Sequence, residues 1–133
     1  MNPLHPIVRQ LVVCEDVVAD PSNSQRHSLV NLISSINSIA TPKYPTTCPE
    51  FCVYVQLTEC RGSGAVTLRV LQADSERVVF CSESRAIRFV GSPLEVMAVA
   101  YRIRNCPFPG PGLCWVQLWF EELLLSQQPI LLR

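Results

Sequence analysis

Proton transfer or nucleophilic attack by this 133-residue chain would have to draw on two histidines, seven cysteines and eleven acidic residues. A nucleophile needs a base within hydrogen-bond reach and a third group to orient that base. His5 stands between Leu4 and Pro6, and His27 follows Ser24-Gln25-Arg26 at the start of an apolar stretch. Asp20 and Ser28 are the polar neighbours of His27 in sequence, which suits a surface or hairpin-end histidine. A catalytic His27, working with a nearby Cys or Asp, would need a concave pocket around residues 14–28. Gly62-Ser63-Gly64 is a turn, because a nucleophile elbow requires Gly-x-Ser-x-Gly between a strand and a helix.

Metal and redox chemistry fare similarly. A zinc site wants four Cys/His ligands, commonly as two close pairs, and Cys48 with Cys52 is the one close pair here, interrupted by Pro49. Cys14, Cys60, Cys81, Cys106 and Cys114 are spread through apolar segments as small hydrophobes would be. The acidic pair Glu15-Asp16 falls in a strand, where neighbours point to opposite faces, so the two cannot share a proton or a metal. Glu15, between Val13 and Val17 on its own face, is expected to pair with an arginine. Glu121-Glu122 reads as a solvated turn. There is no phosphate-binding glycine loop or dinucleotide fingerprint. No catalytic, cofactor-binding or metal-ligating residue is therefore assigned, and a non-enzymatic role is the expectation.

Composition narrows the partners. Formal net charge is zero, with ten arginines and one lysine, Lys43, among the cations. No long-range field would gather nucleic acid or an anionic membrane surface. Charged residues make up 17% of the chain, against about 25% in an average globular protein, which favours a partner, or a second copy, covering apolar surface. No run reaches the roughly 18–20 apolar residues needed to span a bilayer. Met1 to Pro6 lacks the basic start of a signal peptide, so the free thiols are expected in the reducing cytoplasm.

The elements that would position these groups are short strands. Eleven prolines and several Gly/Asn/Asp/Ser clusters divide the chain. Eight segments rich in Val, Ile, Leu and aromatics remain: Ile7–Val17, His27–Asn37, Phe51–Cys60, Gly64–Ala73, Arg77–Phe89, Glu95–Arg104, Leu113–Phe120 and Leu124–Leu132. Such a series predicts an all-β, mostly antiparallel sandwich of about seven to eight strands in a single domain, residues 1–133. The second segment also fits a helical turn, through Leu29, Ile33 and Ile36. The proline-rich Thr41–Glu50 is expected to cross between sheets as a Greek-key connection.

Register sharpens the expectation, because a one-residue slip swaps the faces of a strand. With Pro107–Gly112 as a loop and Cys106 opposite Leu113, Ile103 faces Val116, Tyr101 faces Leu118 and Val99 faces Phe120. All six are apolar, as a core face demands. Cys106 and Cys114 become diagonal neighbours, a candidate redox pair weighed against simple packing. Closing Arg61–Gly64 as a turn likewise sets Leu57 against Leu68 and Val55 against Val70, and a loop at Asp74–Glu76 sets Val70 against Phe80. The last hairpin then turns outward Arg104 opposite Trp115, Arg102 opposite Gln117 and Ala100 opposite Trp119. Tryptophan and arginine are common hot-spot residues, and Arg104 over Trp115 would form a cation–π contact. Arg102, Arg104, Trp115, Gln117 and Trp119 are the predicted protein-interaction face, unless Thr41–Glu50 covers it. A stacking platform for a small ligand or carbohydrate is the alternative.

The stretches LVVCEDVVADPSNSQRHSLVNLISSI, RFVGSP and FPGPGLCWVQLWFEELLLSQQPILLR also resemble a family of small bacterial proteins known only as a domain of unknown function. Their specific features are the Pro/Gly-rich turn before an aromatic strand and a final strand entered through Glu121-Glu122. The resemblance implies an immunoglobulin-like sandwich and carries over no activity, cofactor or catalytic residue.

Overall fold

The structure, a computed structural model, describes residues 5–39, 41–88 and 92–133. Ten strands follow one another: β1 (Ile7–Asp20), β2 (Asn23–Leu32), β3 (Ser35–Ile36), β4 (Thr46–Thr58), β5 (Ser63–Gln72), β6 (Val78–Cys81), β7 (Arg85–Arg88), β8 (Met97–Phe108), β9 (Gly112–Phe120) and β10 (Leu123–Leu132). Two more strands than expected arise because a two-residue break at Ile33-Ser34 separates β3 from β2, and Ser82–Ser84 separates β6 from β7. Residues 29–36, which also fitted a helical turn, lie in β2, in β3 and in the break between them. The predicted strand end Phe89 and the Phe89–Gly91 part of RFVGSP lie outside the described residues. Among the described residues no helix is long and apolar enough to cross a membrane.

The strands form two layers. Sheet A has the order β2-β1-β4-β8, and sheet B the order β3-β10-β9-β5-β6, with β7 also on β5. All pairings are antiparallel except β3 with β10. Thr41–Pro45 leads from β3 in sheet B into β4 in sheet A, so the proline-rich segment crosses between layers as expected, although Thr46–Glu50 already belongs to β4. The core is the alternate residues of both sheets. Leu11 and Val13 of β1, Phe51, Val53, Val55 and Leu57 of β4 and Ile103 of β8 meet Val66, Leu68 and Val70 of β5, Val116 and Leu118 of β9 and Ile130 of β10. The result is an immunoglobulin-like antiparallel sandwich.

Two predicted hairpins are not hairpins. Strand β8 pairs with β4, with Tyr101 beside Val53 and Ile103 beside Phe51, whereas β9 lies between β5 and β10 in the other layer. Tyr101 and Leu118 are therefore not neighbours in one sheet. Likewise β4 and β5 belong to different layers, so Leu57 does not pair with Leu68. Both connections are arches that step from one sheet to the other. The backbone can make these steps because Glu59 and Gly62 adopt φ of 55° and 71°, and Asn105 and Gly112 adopt 54° and 123°. Alternation is blind to this difference: an arch and a hairpin turn the same residues inward. Pro107, expected in the loop, sits in β8 beside Thr47. An edge strand tolerates proline because its outer side needs no N–H donor. The third register, Val70 opposite Phe80, is as expected.

Candidate functional site

The outer face of sheet B is built around β9. Its outward residues run Leu113, Trp115, Gln117, Trp119, with the buried Cys114, Val116, Leu118 and Phe120 between them. Trp115 sits beside Leu71 of β5 and Pro129 of β10, and Trp119 beside Thr67 and Leu124. Leu113 and Leu124 are exposed, and both indoles are half-buried. A polar chain fixes the centre. Trp119 Nε1 donates to Gln117 Oε1 at 3.0 Å, and Gln117 Nε2 donates to Gln127 Oε1 at 2.9 Å. That pairing lets Gln117 be 92% buried on a sheet face without an unsatisfied amide. The Arg69 guanidinium lies 4.7 Å over the Trp119 ring.

Arg102 and Arg104 do not share this face. They project from β8, in sheet A, and the sandwich core separates them from Trp115, Gln117 and Trp119. The predicted five-residue surface is thus two surfaces, and the expected contact of Arg104 with Trp115 is replaced by Arg69 with Trp119. The physical reason is the arch at 109–111, which turns an in-plane neighbour into an opposite layer. Arg69 stands outward between the buried Leu68 and Val70, a signal available in the sequence but unusable without the β5–β9 pairing. Thr46–Glu50 does not overlie the tryptophans, being paired with β8 in sheet A, while Tyr44 donates its hydroxyl to the Arg133 carbonyl at 2.9 Å.

On sheet A the two arginines are bound up in ion pairs. Arg102 bonds Asp16 at 2.6 Å and Glu50 at 3.3 Å, and Arg104 bonds Glu50 at 3.2 Å. Hydrogen bonds from Arg102 hold the Asp16 carboxyl below the usual range, and those from Arg104 and Arg102 do the same for Glu50. Glu15, expected to pair with an arginine, instead accepts from Asn31 Nδ2 at 2.9 Å.

These contacts anchor a ribbon formed by the second half of β1 and most of β2. In sheet A, Tyr54 lies beside Val12, and His27 lies beside Ala19. Seven residues of straight strand would separate Val12 from Ala19 by about 23 Å. The His27 and Tyr54 rings are nevertheless 5.3 Å apart. The ribbon must therefore bend back over sheet A, and the bend is at Glu15 and at Asn31, whose φ is 51°. Its cover explains why Cys14, Cys52 and Tyr54, which alternation turns outward, are buried. His27 is thus at a packed interface between layers and not merely at a hairpin end. Among the described residues no Cys, Asp or Ser lines the cleft beside it.

All described cysteines are free thiols. Cys106 and Cys114, expected as diagonal neighbours of one hairpin, lie in opposite sheets, and burial pushes them up to about 12 and about 11. Cys48 is the register partner of Cys106, and Cys14 that of Cys52; burial raises all three remaining thiols of these pairs. Thiols held protonated are poor nucleophiles. Among the described residues no group of three or more His, Cys, Asp or Glu could hold a metal ion.

Comparison with known proteins agrees with the fold. A family model described as a family of unknown function, DUF6941, matches residues 11–133, and the chain belongs to that family. No curated protein matches the sequence. Among solved structures, a beta-glucosidase from Listeria innocua in complex with glucose is 9% identical, with a TM-score of 0.52 over 96% of this chain and 16% of that one. An alkylpurine DNA glycosylase from Pseudomonas fluorescens bound to DNA containing an abasic site analog is 8% identical, with a TM-score of 0.49 over 92% and 30%. An immunoglobulin-like protein from Pseudomonas aeruginosa is 14% identical, with a TM-score of 0.46 over 97% of both chains. The chain spans less than a third of the length of the first two, and the likeness to the beta-glucosidase, at such identity, speaks to the fold alone.

Proposed function

We propose that this member of the family is a non-enzymatic interaction module that associates through the outer face of sheet B, first of all with a second copy of itself. One observation carries the reading: Leu113, Trp115, Trp119 and Leu124 lie together on a sheet face over which no other described strand packs. Such a file resembles the aromatic, charge-depleted centre of a protein interface, and the low charge content of the chain fits a covered surface. A stacking platform for a sugar is less well supported, because the Arg69 guanidinium already occupies a face of Trp119. Seven thiols suit a reducing compartment, and we place the protein in the cytoplasm.

Light scattering after size-exclusion chromatography tests this. Leu113→Lys and Leu124→Lys alter exposed positions and should leave the fold intact by circular dichroism. The wild type should elute as a dimer and both variants as monomers. A wild-type monomer overturns self-association, and dimers in both variants overturn the location of the contact.

A further inference from the structure

Where the bent ribbon lies over sheet A it leaves a cleft of about 550 Å³, within the roughly 300–1,000 Å³ of small-molecule sites. Tyr54 and Gln56 of β4 form its floor, His27 of β2 reaches in from the ribbon, and Arg9 of β1 faces it with Glu95 and Val96, which precede β8. We infer that this cleft binds a free α-amino acid as its zwitterion.

The charges point there. Every salt bridge among the described residues belongs to Arg102 or Arg104, so neither the Arg9 guanidinium nor the Glu95 carboxylate is paired with a described residue. One unpaired cation and one unpaired anion facing the same cleft are complementary to a molecule carrying both signs. A planar guanidinium takes a carboxylate in two parallel hydrogen bonds, and Glu95 takes the ammonium group. An anion alone would face Glu95, a cation alone would face Arg9, and a polyphosphate would find a single cation among the described lining residues.

The remaining groups supply orientation. His27 lines the cleft and packs its ring 5.3 Å from that of Tyr54, which fixes the wall against which the ligand lies. Gln56 spends one N–H on the Tyr54 hydroxyl at 2.9 Å, which leaves its carbonyl oxygen and second N–H. Exposed Val96 and Ala98 offer apolar surface to the ligand side chain. The cleft is on sheet A, so this inference does not depend on the sheet B contact.

The test is titration calorimetry of the wild-type protein with the twenty α-amino acids. At least one should bind saturably, and its α-carboxamide should bind tenfold or more weakly. Arg9→Ala and Glu95→Gln change exposed residues and should each weaken the same ligand tenfold or more with unchanged circular dichroism. Leu113→Lys, on the opposite face, should bind as the wild type does. Absence of saturable binding across the panel overturns the inference, as does a bound amino acid whose affinity ignores Arg9→Ala or the loss of its carboxylate.

Discussion

A single methyl group placed at Gly64 should report whether β5 really lies beside β9. A Cβ built there would sit 2.3 Å from Cε2 and Cζ of Phe120, against an ordinary carbon–carbon contact of about 3.5–4.0 Å. Gly64 does not have a positive φ, so alanine meets no backbone penalty and even gains about 0.5–1 kcal/mol relative to glycine in a strand. The cost is steric. Phe120 is 93% buried, and Glu121 beyond it is tied to Ala65 by hydrogen bonds in both directions, each 2.9 Å, so the ring has little room to withdraw. Overpacking of this kind costs about 1–3 kcal/mol, which, less the strand gain, places Gly64→Ala at about 1–1.5 kcal/mol net. Phe120→Leu removes both clashing carbons at a cost of about 1–1.5 kcal/mol for a smaller apolar side chain. In the double variant the clash is absent, so it should be about 1.5–2 kcal/mol more stable than the sum of the singles. Urea denaturation of the four proteins measures this. Additivity within about 0.5 kcal/mol would mean that the two residues are not neighbours, and the sheet face carrying the tryptophans would have to be rebuilt.

Other consequences are simpler to state. Arg102→Met should loosen the ribbon, and because these ion pairs are about 40% exposed and solvent-screened, amide exchange between Val17 and Ser28 should quicken only a few-fold. Asp16 and Glu50 have lowered folded pKa values, so their contribution is present above pH 4 or so and lost as pH falls through the folded values; wild-type exchange should rise toward that of the variant in acid. The buried thiols act in the opposite sense. Cys106 and Cys114 titrate near 12 and 11 when folded but near 8.5 when unfolded, so stability should fall from about pH 9 upward by as much as about 1.4 kcal/mol per pH unit for each thiol, a slope that Cys106→Ala should reduce in alkaline urea titrations. Arg69→Ala should expose the Trp119 ring to acrylamide quenching while costing no more than about 1 kcal/mol.

The strands were readable from the sequence because strand formation depends on local alternation and on turn residues. Leu68, Val70, Val116 and Leu118 could be set inward with no knowledge of their neighbours, and each is buried. Pairing was readable only where the connection was a true hairpin, as at Asp74–Glu76 and at Glu121-Glu122, where Phe120 meets Leu123. At Arg61–Ser63 and at Pro109–Pro111 the same pattern admits a hairpin or an arch, and only the long-range fit of the two layers decides between them. The site suffered accordingly. Trp115, Gln117 and Trp119 share a face because they are two residues apart on one strand, but Arg102 and Arg104 were joined to them through a pairing. The cleft was unreadable for another reason: Arg9, His27, Tyr54 and Glu95 meet through a bend in the middle of a strand. Its one local trace was Tyr54, a large aromatic on the outward phase of β4, which a close-packed protein leaves bare less often than it covers.

The two surfaces should work independently, and the packing says why. Between them lies a layer of fully buried side chains including Val53, Val55, Leu68 and Val116, and interiors packed at crystal-like density have no second arrangement to adopt without strain. The element poised to shift is the ribbon, whose bend at Glu15 and Asn31 is in sheet A and whose anchors, Asp16, Arg102 and Glu50, are also in sheet A. Between described residues no hydrogen bond or ion pair links it to β9. Coupling between sites requires an element whose two states both ligands distinguish, and this fold provides such an element on one side only. The dimer constant, measured by sedimentation with and without a saturating amino acid, should change by less than about twofold, well short of the roughly fivefold at which allosteric coupling usually begins. A tenfold change would show that the ribbon reaches sheet B through the core after all, and the sandwich would then have to be treated as one deformable unit.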